Sequence, residues 1–274
     1  MHNQWSKILI LSTSLLWSQS EPVMTKSLLG TLHFTQTAHD NWTPGGEDVL
    51  TWFLDVKSKF SRETEGSVFK AEGHANYGKT RIAAAAARKS LDELKLDTFY
   101  ARKLDWAVNP YFSAQLSTQM AAGYTFTDSS RKQVSAFLNP GYFIQTLGLG
   151  ISHGEDWAVR MGASVKETIS RRFPLPVMGE PGVTESFRRE LGVQAEGDWK
   201  KQIGDESLLT SELDLFSSFK GIERIDVSWD NNITTRFAKY FQTSFQYKIV
   251  YDWDLSRRRQ VKSVLSFGVQ YTII

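Results

Sequence analysis

The stretch Leu50-Thr51-Trp52-Phe53-Leu54-Asp55-Val56-Lys57-Ser58-Lys59-Phe60 decides the fold. Leu50, Trp52, Leu54, Val56 and Phe60 share one parity, and Thr51, Asp55, Lys57 and Lys59 share the other. A period of two places alternate side chains on opposite faces of a β-strand. Outward from it the same split recurs along the chain. Phe69, Ala71, Ala75 and Tyr77 oppose Lys70, Glu72, His74 and Asn76. Phe112, Ala114, Leu116, Met120, Ala122, Tyr124 and Phe126 oppose Ser113, Gln115, Ser117 and Gln119, a run read as one strand. Trp157, Val159, Met161, Ala163 and Val165 oppose Arg160, Ser164 and Lys166, and Leu209, Leu213, Leu215 and Phe219 oppose Thr210, Glu212, Asp214 and Lys220. Phe241, Phe245, Tyr247, Ile249 and Tyr251 oppose Gln242, Ser244, Gln246 and Lys248. The last run, Leu265 to Ile273, alternates with Ser266, Gly268, Gln270 and Thr272.

Alternation alone does not say which face is wet. Three features decide for lipid outside and charge inside. The runs are longer than soluble strands of about 5 to 6 residues and carry ionic groups along their middles. Trp42, Trp106, Trp157, Trp199 and Trp253 sit at strand ends, where a membrane interface favours amphipathic rings, with Trp52 and Trp229 nearer the middle. The chain also ends on an amphipathic strand able to close against the first, and an open edge in lipid costs several kcal/mol per unpaired backbone group. The expected fold is therefore an all-β, antiparallel up-and-down transmembrane barrel of about twelve strands, one per roughly 21 residues.

Connections alternate in length. Short ones fall near Arg62 to Glu65, Leu104 to Trp106, His153 to Asp156, Gly204 to Glu206 and Arg236 to Lys239. Long ones fall near Ala38 to Gly46, Lys79 to Asp92, Thr127 to Lys132, Arg171 to Ser186 and Trp253 to Arg259, with a short hairpin at Lys220 to Glu223 as the exception.

Composition fits this reading. Of 274 residues, 41% are hydrophobic, and 32 Lys plus Arg against 30 Asp plus Glu leave a net charge of +2, which gives no basic excess for a nucleic-acid partner. Cysteine is absent, so thiolate metal sites, cysteine nucleophiles and a lipid-bearing cysteine are excluded. Met1 to Ser20 has Lys7, an apolar Ile8 to Leu11, Leu15 to Trp17 and a small polar end, the pattern of a secretory signal cleaved after Ser20. Residues 21-274 are then the barrel.

Several strings carry a resemblance: Asn41-Trp42-Thr43-Pro44-Gly45-Gly46-Glu47, Lys89-Ser90-Leu91-Asp92-Glu93-Leu94 entering the fourth strand, Ser135-Ala136-Phe137-Leu138-Asn139-Pro140 in the sixth, and Tyr251-Asp252. In order and spacing they resemble the uncharacterised outer-membrane barrel family called domain of unknown function 3078 (DUF3078), over about Leu28 to Ile274. The resemblance implies the barrel already derived, and supplies no activity and no catalytic residues. Barrels of this kind commonly end in an aromatic residue, whereas this chain ends Tyr271-Thr272-Ile273-Ile274.

Gly73-His74-Ala75-Asn76-Tyr77-Gly78-Lys79-Thr80 matches the phosphate-loop pattern letter for letter. Its lead-in alternates with Lys70 and Glu72 and no βαβ unit follows, so the stretch reads as a strand ending at Tyr77 and an external loop, with room for a helical turn at the alanines. His33, His39, His74 and His153 are scattered without metal-ligand spacing, and no nucleophile elbow is present. No catalytic, cofactor or metal site is expected.

Candidate lumen charges are Asp55, Lys57, Lys59, Lys70, Glu72, Arg160, Lys166, Glu212, Asp214 and Lys248, joined by Glu190, Glu196, Asp198, Lys200, Lys220 and Asp252. Their signs balance, which suits a partly occluded polar core or a narrow, weakly selective channel. Lys79, Arg81, Arg88, Lys89, Arg171 and Arg172 are read as loop charges. Arg257, Arg258 and Arg259 are candidate lipopolysaccharide contacts through their phosphates. The expected partners are outer-membrane lipid and lipopolysaccharide, plus the barrel-assembly machinery through the C-terminal strand. The expected function is a structural barrel or narrow passive channel in the outer membrane of a Gram-negative bacterium. An outer-membrane hydrolase on the same barrel and a soluble exported β binding module are the alternatives.

Overall fold

Strands of alternating polarity need a partner for each backbone edge, and here every long strand has two. In chain order the strands are β1 (Val23–Thr37), β2 (Val49–Glu63), β3 (Ser67–Ile82), β4 (Arg88–Arg102), β5 (Asn109–Thr118), β6 (Gly123–Phe126), β7 (Arg131–Ser135) and β8 (Gly141–His153). They continue as β9 (Trp157–Ile169), β10 (Leu175–Pro176), β11 (Thr184–Glu185), β12 (Phe187–Gly204), β13 (Ser207–Ser218), β14 (Ile225–Arg236), β15 (Phe241–Tyr251) and β16 (Gln260–Thr272). The structure is a computed structural model and describes residues 21–38, 47–127, 130–154, 156–177, 182–222, 224–252 and 258–273. The expected signal, Met1 to Ser20, lies outside the described residues, as do Trp42, Gly45, Gly46, Trp253 and Arg257.

Twelve strands close into one antiparallel up-and-down barrel in the order β1-β16-β15-β14-β13-β12-β9-β8-β5-β4-β3-β2. The seam is β1 on β16, from Leu29↔Thr272 to Phe34↔Phe267. Small hairpins β6–β7 and β10–β11 stand outside the wall. The start of β1, the end of β16 and the turns after β2, β4, β8, β12 and β14 lie at one end, called the turn end. The connections after β1, β3, β5, β9, β13 and β15 lie at the other, the loop end.

Register fixes which way each face looks. Leu32, Leu54 and Tyr77 follow one another across β1, β2 and β3, as do Phe112, Leu147 and Ala163 across β5, β8 and β9. This register is exposed: Leu147 is 68% and Leu265 69% accessible, and Leu149, Val159, Met161, Leu191 and Val261 are exposed with them. The other register is polar and mostly hidden, with Thr31, His33, Asn76, Thr146, Ser164, Lys166, Gln194, Gln242 and Ser266 all buried. Apolar side chains therefore ring the outside and polar ones fill the inside, the inverse of a soluble sandwich and the arrangement of a transmembrane barrel. Near the turn end the outer face carries Phe60, Phe69, Tyr100, Trp157, Trp199, Phe241 and Tyr271, with Trp157 and Trp199 directly opposite each other. Trp106 lies in the turn after β4 and is exposed. Trp52 is the fourth residue of β2 from the loop end, nearer a strand end than its sequence context suggested, while Trp229 is mid-strand and outward.

Several local expectations are corrected. The run Phe112 to Phe126 is not one strand: β5 stops at Thr118, because the Asp92 carboxylate accepts the backbone N–H groups of Met120 and Ala121 at 2.7 and 2.9 Å and pulls the chain off the wall. Tyr124 and Phe126 belong to the β6–β7 hairpin. Ser135 to Pro140 is not the sixth strand, which is β8; only an isolated bridge, Ala136↔Asn139, forms there, and Pro140 has no N–H for a ladder. The phosphate-loop look-alike lies wholly within β3, which runs on to Ile82 and pairs with β2 through Val49↔Ile82, so Lys79, Arg81, Arg88 and Lys89 are strand residues and not loop charges. The alanines after it make a tight turn in which Ala83 takes φ 50°, not a helical turn. Five residues between two paired strands cannot meet the cost of nucleating a helix. Lys220 lies past the end of β13 in the connecting turn, exposed, and not on the inner face.

Candidate functional site: the charged lumen

Charges cannot face acyl chains cheaply, so the alternation that turns Leu54 and Val56 outward carries Asp55 and Lys57 inward. The same holds on each strand. The lumen receives His33 from β1, Asp55, Lys57 and Lys59 from β2, Lys70, Glu72 and His74 from β3, and Glu93, Lys95 and Asp97 from β4. From the far wall come Arg160 and Lys166 of β9, Glu190, Glu196 and Asp198 of β12, Glu212 and Asp214 of β13, Asp226 and Asp230 of β14, Lys248 of β15 and Lys262 of β16.

The signs are not mixed evenly. Glu196 is opposite Asp214, and Asp198, Glu212 and Asp230 form a row across β12, β13 and β14. Lys248 is opposite Lys262. Like charges directly opposed on neighbouring strands repel. They persist here because oppositely charged side chains reach them. Arg160 donates from Nε to Glu196 at 2.7 Å and from Nη2 to Asp198 at 2.5 Å. Lys248 lies 3.7 Å from Asp230 on the neighbouring strand and 3.4 Å from Glu93, five strands away across the barrel.

Cross-lumen bonds divide the interior. Near the loop end the Lys166 ammonium donates to Asp226 at 2.7 Å and to Asp252 at 3.3 Å, and it sits 5.3 Å from the buried ring of Phe216. These partners are three and four strands from β9, so the bridge closes that sector of the bore. Beside it Thr146 of β8 donates to Gln194 of β12 and lies 3.0 Å from Ser164. This reach over β9 requires Gly162, where a Cβ would meet Leu147 O at 2.5 Å. Toward the turn end the interior is wetter. Lys59 and Glu72, 3.1 Å apart, keep 41% and 47% of their side-chain surface and Asp198 42%, against 9% for Lys166. The bore is thus a vestibule open at the turn end and narrowed by ion pairs at the loop end.

A second network gathers around Asp92 at the loop-end rim. Asp92, with 2% of its side chain exposed, takes Lys89 Nζ at 2.7 Å besides the two N–H groups already named. Lys89 goes on to Gln119 Oε1 at 3.0 Å and Ala121 O at 2.9 Å, Ser135 donates to Gln119 at 2.8 Å, and Leu138 N donates to Thr118 Oγ1 at 3.0 Å. This network clamps Gln119 to Ala121, Ser135 and Leu138 against the rim.

All ten charges singled out from the sequence lie on the inner register. The structure joins Asp55 to His74 at 2.8 Å, Lys59 to Glu72, Arg160 to Glu196 and Asp198, Lys166 to Asp226 and Asp252, and Lys248 to Glu93 and Asp230. Lys57, Lys70, Glu212 and Asp214 form no salt bridge among the described residues. Sequence reasoning missed Glu93, Lys95, Asp97, Asp226, Asp230 and Lys262. The signal was present on β4, where Leu94 and Leu96 alternate with Lys95 and Asp97. Arg258 and Arg259 lie exposed at the loop end just before β16.

Among solved structures the chain is similar to the COG4313 outer membrane channel from Pseudomonas putida F1, at 12% identity, covering 92% of this chain and 97% of that one, with a TM-score of 0.44. It is similar to the NanC porin at 10% identity, covering 88% and 97%, with a TM-score of 0.43. The translocator domain of the autotransporter NalP from Neisseria meningitidis gives 11% identity, 93% and 90% coverage and a TM-score of 0.39. The reading of the lumen rests on this chain's own residues and not on these likenesses. No curated protein matches the chain. The family that does match, over residues 34–124 and so including the Asn41 and Lys89 strings but not those at Ser135 and Tyr251, is the one those motifs resemble, described as protein of unknown function (DUF3078).

Proposed function

We propose that the protein is an outer-membrane barrel of a Gram-negative bacterium that acts as a narrow passive channel, entered through a wet vestibule and restricted at the loop end, and that it is not an enzyme. One observation carries this reading: a lumen lined by charged groups is half-exposed toward the turn end and bridged toward the loop end by Lys166 with Asp226 and Asp252. A purely structural plug has no use for solvent-reachable Lys59, Glu72 and Asp198. The hydrolase alternative has less support, since the His74–Asp55 pair has no serine hydroxyl bonded to it among the described residues.

Both signs line the lumen and no ring of one sign forms among the described residues, so ion preference should be weak. The test is reconstitution of the full-length protein into planar bilayers, with heat-modifiable gel migration as the check on folding. Small, discrete and weakly selective conductance steps are expected. A folded barrel that never conducts refutes the channel and leaves a structural role.

A further inference from the structure

At the loop end the lumen holds an open cavity of about 420 Å³, within the range of small-molecule sites. Asn76, Glu93, Ser117, Gln119, Tyr142 and Lys262 line it. Most polar groups there are already engaged. Glu93 holds Lys248, and Gln119 Oε1 accepts from Lys89 and Ser135. Two are not. Asn76, 6% exposed, has a side-chain Oδ1 that is buried with no hydrogen-bond partner. Lys262 forms no salt bridge among the described residues, and its cross-strand neighbour is another lysine, Lys248. A buried acceptor without a donor is costly unless something supplies the missing half, and an ammonium with no contact ion pair is free to take an anion.

We infer that this cavity is a solute subsite for a small organic carboxylate that carries hydrogen-bond donors, its carboxylate meeting Lys262 and its hydroxyl or ammonium hydrogens meeting Asn76 Oδ1 and Glu93. The inference rests on the lumen being a passage that solutes enter. A neutral sugar leaves Lys262 without a counter-ion, and a simple fatty acid leaves Asn76 without a donor. Hydroxy acids and amino acids share the required chemistry, and the experiment separates them. Tyr142, which makes no hydrogen bond among the described residues, offers a further hydroxyl to either.

The test is isothermal titration of the full-length protein in detergent with glucuronate and with glutamine, against glucose and propionate as controls. Binding of glucuronate, of glutamine, or of both, at least tenfold tighter than either control is expected. Lys262→Gln should weaken it tenfold or more and Lys262→Arg should retain it. Asn76→Leu should weaken the same probe, with heat-modifiable migration confirming that each variant is folded. Equal binding by wild type and Lys262→Gln, or binding of neither probe, overturns the subsite. Bilayer recordings keep the two readings apart: conduction without probe binding sinks the subsite alone, and Lys262-dependent binding without conduction sinks the channel alone.

Discussion

Removing the Asp92 carboxylate should unclamp the segment after β5 from the loop-end rim without dismantling the barrel wall. In Asp92→Ala two backbone N–H groups, Met120 and Ala121, lose a charged acceptor at 2.7 and 2.9 Å, and Lys89 loses its counter-ion at 2.7 Å. Hydrogen bonds to a charged group contribute about 1.5–3 kcal/mol each, and breaking a buried pair costs about 3–5 kcal/mol. Lys89 retains Gln119 Oε1 and Ala121 O, and the strand pairing of β4 is untouched, so the loss is local. We take about 3–4 kcal/mol for docking of residues 119 to 140, which at about 1.4 kcal/mol per decade is a factor of roughly 10² to 10³ in opening. Hydrogen exchange of the peptide covering Met120 to Asn139 reads this directly, because local opening sets its rate. Exchange there should accelerate by about two orders of magnitude while β12 and β13 stay protected. Asp92→Asn, which keeps an acceptor and loses the charge, should fall between. Unchanged exchange in a folded Asp92→Ala barrel would refute the clamp.

Other expectations follow from the same geometry. Asp226→Asn with Asp252→Asn strands the Lys166 ammonium inside the lumen and should destabilise the barrel by about 3–5 kcal/mol, measured by urea unfolding in vesicles. Leu147→Arg places a charge on the lipid face of β8 and should cost about 2–4 kcal/mol in the same assay, whereas Lys59→Gln in the wet vestibule should change stability little and conductance measurably. Gly148→Val should block folding altogether, since a Cβ at Gly148 meets Met161 O at 2.2 Å and the Gly162 Cα at 2.6 Å. Heat-modifiable migration detects that loss. Replacing Arg258 and Arg259 with Gln should weaken lipopolysaccharide binding, and unchanged lipid binding and thermal stability would count against a lipid contact there.

How far each feature was legible follows from its range. Leu50 to Phe60 declares its two faces by neighbours two residues apart, so inner Asp55, Lys57 and Lys59 were readable without any fold. The turn-end connections were readable for the same reason, being short polar breaks between long alternating runs. Alternation also misled. Phe112 to Phe126 keeps its parity past Thr118, yet the ladder ends there because Asp92, far earlier in the chain, accepts the N–H groups of Met120 and Ala121. The alanines after β3 favour a helix locally, and two paired strands override them.

The order of residues is enough to define an all-β chain of about twelve amphipathic strands and to assign each strand's residues to a face, because a period of two is local and lipid tolerates only one face. Tertiary structure decided what those faces meet. A balanced tally of charges says nothing of Glu196 opposite Asp214 or of Lys248 reaching Glu93 across the bore. Those contacts join residues far apart in the chain, and only closure of the barrel and its register set their distances.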